Sequence, residues 1–170
     1  MRILLFFITL FPLLLAQSHL IAFQDNDITT FILVRHAEKT SDSRDPGLSP
    51  DGIERAELLA HMLSETDIDA VYSTNLQRTT STIQQIADMN ELEIQFYDYE
   101  NPEETAASWI DQHRGDVVLI SGHSNTTPEF TNALLGRPYF QKMFDESDYG
   151  NLLIVTITDS DSPQLLHLRY

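Results

Sequence analysis

Two of the six histidines in this chain stand at places where alternating strand–helix folds do chemistry. His36 follows an apolar run in Val34-Arg35-His36-Ala37-Glu38-Lys39, and His123 follows another in Ile120-Ser121-Gly122-His123-Ser124-Asn125. Between them Arg78 falls near the start of a helical pattern, in Ser73-Thr74-Asn75-Leu76-Gln77-Arg78-Thr79. If the first and fourth strands are neighbours, two imidazoles and the guanidiniums of Arg35 and Arg78 meet in one small volume. Planar guanidinium forks match phosphate oxygens, and a helix N-terminus adds backbone N–H groups. A neutral imidazole there is suited to attack phosphorus. Each piece has a plainer reading alone: Arg35-His36 as a structural pair, His123 as a helix cap, Arg78 as a solvated charge. The weight lies in their order on one scaffold.

The elements that must position them read as alternating strands and helices. Ile28–Val34 is a β-branched and aromatic run, expected as a buried strand. Ser49 caps a helix with Pro50 at its first position, and Ile53, Ala56, Leu59, Ala60 and Leu63 supply its apolar face. Asp69–Tyr72 reads as a second strand. Leu76, Thr80, Ile83 and Ala87 set the core face of a second helix. Glu93–Tyr97 is a third strand, and Pro102 opens a helix that runs to about His113. Val117–Ile120 is a fourth, fully buried strand, ending at Ser121-Gly122. Thr126 to Glu129 has capping-box spacing, and Gly136 stops that helix. Asn151–Thr158 and Leu165–Leu168 have no helix between them, which implies an antiparallel pair turning near Asp159-Ser160-Asp161. The expected fold is a three-layer α/β/α sandwich around a mostly parallel sheet. Open sheets of this kind bind ligands beyond the carboxyl ends of their strands.

Composition narrows the partners. The chain has 170 residues, 10 Lys+Arg against 26 Asp+Glu, 42% hydrophobic residues and no Cys. This length suits one domain. The absence of cysteine removes disulfides, thiolate metal sites and a cysteine nucleophile. A formal net charge of −16 argues against a nucleic-acid partner and against docking on anionic lipid. Met1-Arg2, the apolar run Ile3–Leu15 and the small residue Ala16 describe a secretory signal peptide over residues 1–22, cleaved after Ala16 or Ala22. The run is short for a membrane span. The expectation is an exported protein, periplasmic or secreted, with a single domain over residues 23–170 and no stable membrane association once the leader is removed.

The chain resembles the histidine phosphatase superfamily, which includes phosphoglycerate mutases and many small phosphatases. Arg35-His36-Ala37 is similar to the family's Arg-His-Gly signature, with Ala37 replacing Gly. Arg78 corresponds to the later family arginine, Thr79 and Thr82 keep a Thr-x-x-Thr spacing, and Gly122-His123 is similar to the second histidine motif. The resemblance implies a phosphoglycerate mutase-like fold and a two-step transfer without metal or cofactor. His36 would become phosphohistidine and water would release phosphate. Arg35, Arg78 and His123 would hold the phosphoryl oxygens, with His123 working best protonated. A carboxylic acid lying between the second arginine and second histidine would protonate the leaving group. Asp98 is the first choice because it lies nearest the end of the third strand, with Glu100 and Glu103 behind it. The short chain leaves no room for a large lid, which favours hydrolysis over transfer, and its negative charge favours a small phosphorylated substrate.

Two other readings stand beside this one. A non-catalytic phospho-ligand binding module would use the same fold. A serine hydrolase would use Ser124 as a nucleophile elbow, although Thr126 stands where that motif needs Gly and His167 is the only histidine further on.

Overall fold

The structure, a computed structural model, describes residues 28–158 and 162–170. The leader segment and the Asp159-Ser160-Asp161 turn lie outside the described residues. The elements in chain order are β1 (Thr29–Arg35), α1 (Pro50–Met62), β2 (Ala70–Ser73), α2 (Gln77–Met89), β3 (Ile94–Phe96), α3 (Pro102–Gln112), β4 (Val117–Gly122), α4 (Thr126–Leu135), β5 (Asn151–Ile157) and β6 (Gln164–Arg169). The strands form one sheet in the order β3-β2-β4-β1-β5-β6. β3, β2, β4 and β1 run parallel, while β5 is antiparallel to β1 and β6 antiparallel to β5.

Strand alternation divides the core into two layers. Phe31 and Leu33 of β1 pack with Trp109 of α3 and Phe130 and Leu134 of α4. Ile32 and Val34 face the other way, onto Leu59 of α1 and Ile83 and Ile86 of α2. The continuous apolar runs of β1 and β4 follow from this, because strands covered on both faces have no polar side to show. The three-layer, mostly parallel sandwich is the observed fold.

Local differences from the expected elements have identifiable causes. Ser49 does cap α1, its Oγ accepting from Gly52 N at 3.2 Å, but Ile53 is 49% exposed because α1 turns that position outward. The buried face of α2 is Thr79, Thr82, Ile83, Ile86 and Ala87. Leu76 and Thr80 are only half-buried. Threonine hides there at little cost because its hydroxyl bonds backbone: Thr79 to Leu76 O and Thr82 to Arg78 O. Hydropathy does not register that face. At α4 no capping box forms: Asn125 is the N-cap without a side-chain bond, and Thr126 Oγ1 accepts from His123 N at 2.9 Å. The hydroxyl turns back to secure the strand end. Gly136 does end α4, with the left-handed φ of 62° that favours glycine.

The register sets the site. Arg35 of β1 lies opposite Gly122 of β4, and His36 N donates to Gly122 O at 2.9 Å. The residues just beyond the ladder, His36 and His123, are therefore side by side.

Candidate active site

The two imidazoles have their centroids 5.4 Å apart, at 66°. They line a cavity of about 330 Å³ together with Arg35, Arg78, Lys39, Ser124 and Glu146. Three expected groups arrive there from three elements: His36 from the end of β1, His123 from the end of β4 and Arg78 from the first turn of α2. Gly122 permits the turn that aims His123, since a Cβ on it would lie 2.7 Å from Thr126 Oγ1 and 3.0 Å from Tyr97 Oη.

His36 is buried, and its Nδ1 lies 2.8 Å from Ala37 O. A carbonyl only accepts, so Nδ1 carries the proton and the neutral ring keeps its lone pair on Nε2. The pKa of His36 is lowered to about 3, chiefly by burial, with Arg35, His123 and Arg78 adding repulsion against the bond to Ala37 O. Ala37 N in turn donates to Thr82 Oγ1 at 2.9 Å, fixing the turn on α2. Thr82 thus serves the site through the backbone.

His123 Nε2 lies 2.9 Å from Thr74 Oγ1, which also contacts Thr79 Oγ1 at 3.0 Å. Its pKa is lowered to about 4, first by burial and then by Arg78 and Arg35, against the attraction of Glu146. Among protein groups alone His123 is thus neutral near pH 7, where a charged ring was expected. The difference arises chiefly from burial of the ring, with the positive charge of the two guanidiniums adding to it.

The arginines are engaged differently. Arg35 is 1% exposed. Its Nη1 donates to Asp145 O at 2.8 Å and Asp148 O at 3.2 Å, and its Nη2 pairs with Glu146 Oε2 at 3.0 Å. Its guanidinium carbon sits 4.2 Å over the ring of Tyr149. Only Nε of Arg35 is buried without a partner. Arg78 Nη1 is also buried with no hydrogen-bond partner among the described residues. Buried donors without partners are rare in folded proteins, and two of them beside one cavity mark a place for an anion.

The acids do not fall where expected. Asp98 is exposed and lines a neighbouring cavity with Tyr72, Tyr97 and Trp109, while Glu103 lines another beside Glu129 and Arg137. Glu100 is exposed. The reason is topological: β3 is the sheet edge, with β2 and β4 between it and β1. Tyr99, not Asp98, is the residue of that loop on the His36 cavity. Glu146 lines the cavity instead, and nothing in its spacing singled it out. The stretch Phe140–Tyr149 that carries it mixes aromatic and acidic residues without a motif.

The serine-hydrolase constellation is not assembled. Ser124 Oγ donates to Glu146 Oε1 at 2.9 Å, and His167 pairs with Asn151 Oδ1 on the β5–β6 side.

This sheet order and strand-end site define a phosphoglycerate mutase-like α/β fold. Among solved structures, phosphoserine phosphatase from Entamoeba histolytica, bound to 3-phosphoglyceric acid, superposes with a TM-score of 0.64 at 19% identity, over 84% of this chain and 97% of that one. Mycobacterial glucosyl-3-phosphoglycerate phosphatase does so with a TM-score of 0.65 at 12% identity, over 84% and 98%. Residues 31–99 match the sequence model of the histidine phosphatase superfamily (branch 1). A 70-residue stretch is 41% identical to phosphoserine phosphatase 1 of Hydrogenobacter thermophilus, covering 37% of this chain. The match spans 33% of that relative, about a third of its length.

Proposed function

We propose that this protein is a metal-independent phosphatase that hydrolyses a small phosphomonoester through a phosphohistidine on His36. The observation that carries this reading is the neutral His36 ring, whose Nδ1–H is tied to Ala37 O and whose Nε2 keeps its lone pair, on a cavity that Arg78, with its unpartnered Nη1, also lines. Nε2 attacks phosphorus as the ester P–O bond breaks, the leaving oxygen takes that electron pair, and water afterwards cleaves the P–N bond. Arg78, Nε of Arg35 and the His123 ring stabilise the spread negative charge of the transferring group. An arriving phosphoryl dianion favours the proton on His123 that burial and the two guanidiniums disfavour. The cavity of about 330 Å³ suits a small ligand, as do the phosphorylated metabolites named for the relatives. Export belongs to the same proposal and rests on the leader pattern of the first 22 residues.

The alternative of a non-catalytic phospho-ligand module is favoured by one observation: Arg35 gives both terminal nitrogens to residues 145–148. One assay separates the readings. The purified chain, with EDTA present, is given an aryl phosphate and an aryl ester beside His36→Ala and Ser124→Ala. Phosphate release that survives EDTA and falls more than about 10³-fold in His36→Ala supports the phosphatase. Thermal stabilisation by inorganic phosphate without turnover identifies the binding module. Ester cleavage lost only in Ser124→Ala identifies a serine hydrolase.

A further inference from the structure

Among the described residues, the only carboxylate lining the His36 cavity belongs to Glu146, which lies in the segment before β5. Glu146 Oε2 is 3.0 Å from Arg35 Nη2, and Oε1 accepts from Ser124 Oγ at 2.9 Å. Its side chain is 72% exposed. The group is thus fixed to the cavity wall at both oxygens and open to water on its outer side. Ser124 follows His123 directly, and the charge of Glu146 is felt at that ring.

We propose that Glu146 is the base of the second half-reaction, taking a proton from the water that hydrolyses phosphohistidine. The inference rests on the phosphohistidine reading above. The water oxygen bonds to phosphorus as the P–Nε2 bond breaks, and that bonding pair returns to Nε2 of His36. The water proton passes to the Glu146 carboxylate and from its exposed side to bulk solvent. Orthophosphate and a neutral His36 result, with no other reactant consumed.

The electrostatics suit the role. The Ser124 hydrogen bond, with help from Arg35, holds the Glu146 carboxyl below the usual carboxylate range despite its partial burial. It is therefore ionised at neutral pH, as a base must be, and has no proton to give a leaving group in the first step. A phosphoryl group on His36 competes for the Arg35 guanidinium and brings negative charge beside Glu146. Both changes raise its proton affinity at the stage where it must accept one.

The test is rapid-quench kinetics of Glu146→Gln with aryl phosphates of graded leaving-group pKa. Glutamine keeps the size and an acceptor for Arg35 or Ser124, and an unchanged melting curve confirms an intact fold. The expected result is a burst of one equivalent of aryl alcohol followed by turnover slowed about 10²-fold, within the range for a placed acid–base group. The slow rate should be the same for good and poor leaving groups. Phosphohistidine should accumulate on His36 under alkaline quench, and Glu146→Asp should recover part of the rate. Unchanged kcat overturns the proposal. So does tighter inhibition by inorganic phosphate at unchanged kcat, which makes Glu146 only a counter-ion. A loss that steepens with leaving-group pKa, without a trapped phosphoenzyme, also overturns it by moving Glu146 to the first step. A parent enzyme that turns over without phosphohistidine removes the phosphohistidine reading itself, a failure the parent shows before any variant is made.

Discussion

The loop after β3, residues 97–101, and the segment before β5, residues 144–150, are both acidic and both lie beside the site, yet they are fastened in opposite ways. From Asp98 onward the first holds itself. Asp98 accepts from Glu100 N at 2.9 Å and Asn101 Nδ2 at 3.2 Å, and its carbonyl accepts from Thr105 Oγ1 at 3.1 Å. The second is held by the site. Arg35 takes the carbonyls of Asp145 and Asp148 and the carboxylate of Glu146, and Phe144 N donates to Ser124 O at 2.9 Å. Sheet order explains the contrast. β5 pairs directly with β1, the strand that carries His36, whereas β3 stands at the edge. A carboxylate just past a strand is near that strand's end, and whether this is near the site depends on where the strand sits in the sheet.

The sharpest way to break this contrast is Arg35→Lys. An ammonium keeps the charge but lacks the fork that spans two carbonyls and a carboxylate. We expect kcat/KM for an aryl phosphate to fall about 10²–10³-fold, the range for removing one preorganised donor to a developing charge. Amide hydrogen exchange should rise across residues 144–150 and stay unchanged across residues 97–101. Equal loosening of both loops would mean that Arg35 secures the fold at large rather than one loop.

A smaller effect follows from acid. The folded-state pKa values of His36 and His123 are lowered to about 3 and about 4, from 6.5. Between pH 6.5 and those values the unfolded chain binds protons that the fold refuses, so the stability is complete above about pH 6.5 and is lost as pH falls. Below the usual carboxylate range the lowered carboxyls of Glu146 and Asp148 add a loss of the same sign. The melting temperature should drop by several degrees from pH 7.5 to pH 5, and saturating inorganic phosphate should return part of it by stabilising charged His123. A flat profile from pH 7.5 to 5 would show that the two rings are not held neutral.

How far this site was legible follows from the same contrast. His36, His123 and Arg78 come from strand ends and a helix start, where side-chain direction is set by local backbone, and the parallel pairing of β1 with β4 brings the two histidines together. Arg35 was legible as a site residue, but not its tie to residues 145–148, which depends on a contact more than a hundred positions away in sequence. Thr82 and Thr79 were visible as a spacing but not as a buried face, because hydroxyls bonded to backbone look polar in sequence and behave as core. Glu146 had no period, cap or motif to mark it; its place follows from sheet order and from the fork of Arg35.

The smallest expected effect is the most discriminating. Asp98→Ala removes the carboxylate that was the natural first choice for a proton donor, and it also removes two hydrogen bonds that shape the start of α3. Exposed bonds of this kind contribute about 0.5–1.5 kcal/mol each at most, and water replaces them. The variant should therefore melt slightly lower than the parent. Its kcat should lie within about twofold on both activated and unactivated phosphate esters, far from the 10²-fold or larger loss of a placed acid. If instead the loss grows as the leaving group worsens, the loop after β3 must swing onto the cavity when substrate binds, with Tyr99 already on the wall as its pivot. The contrast between a self-held loop and a site-held loop would then describe only the protein without substrate, and the two acids would divide the two half-reactions between them.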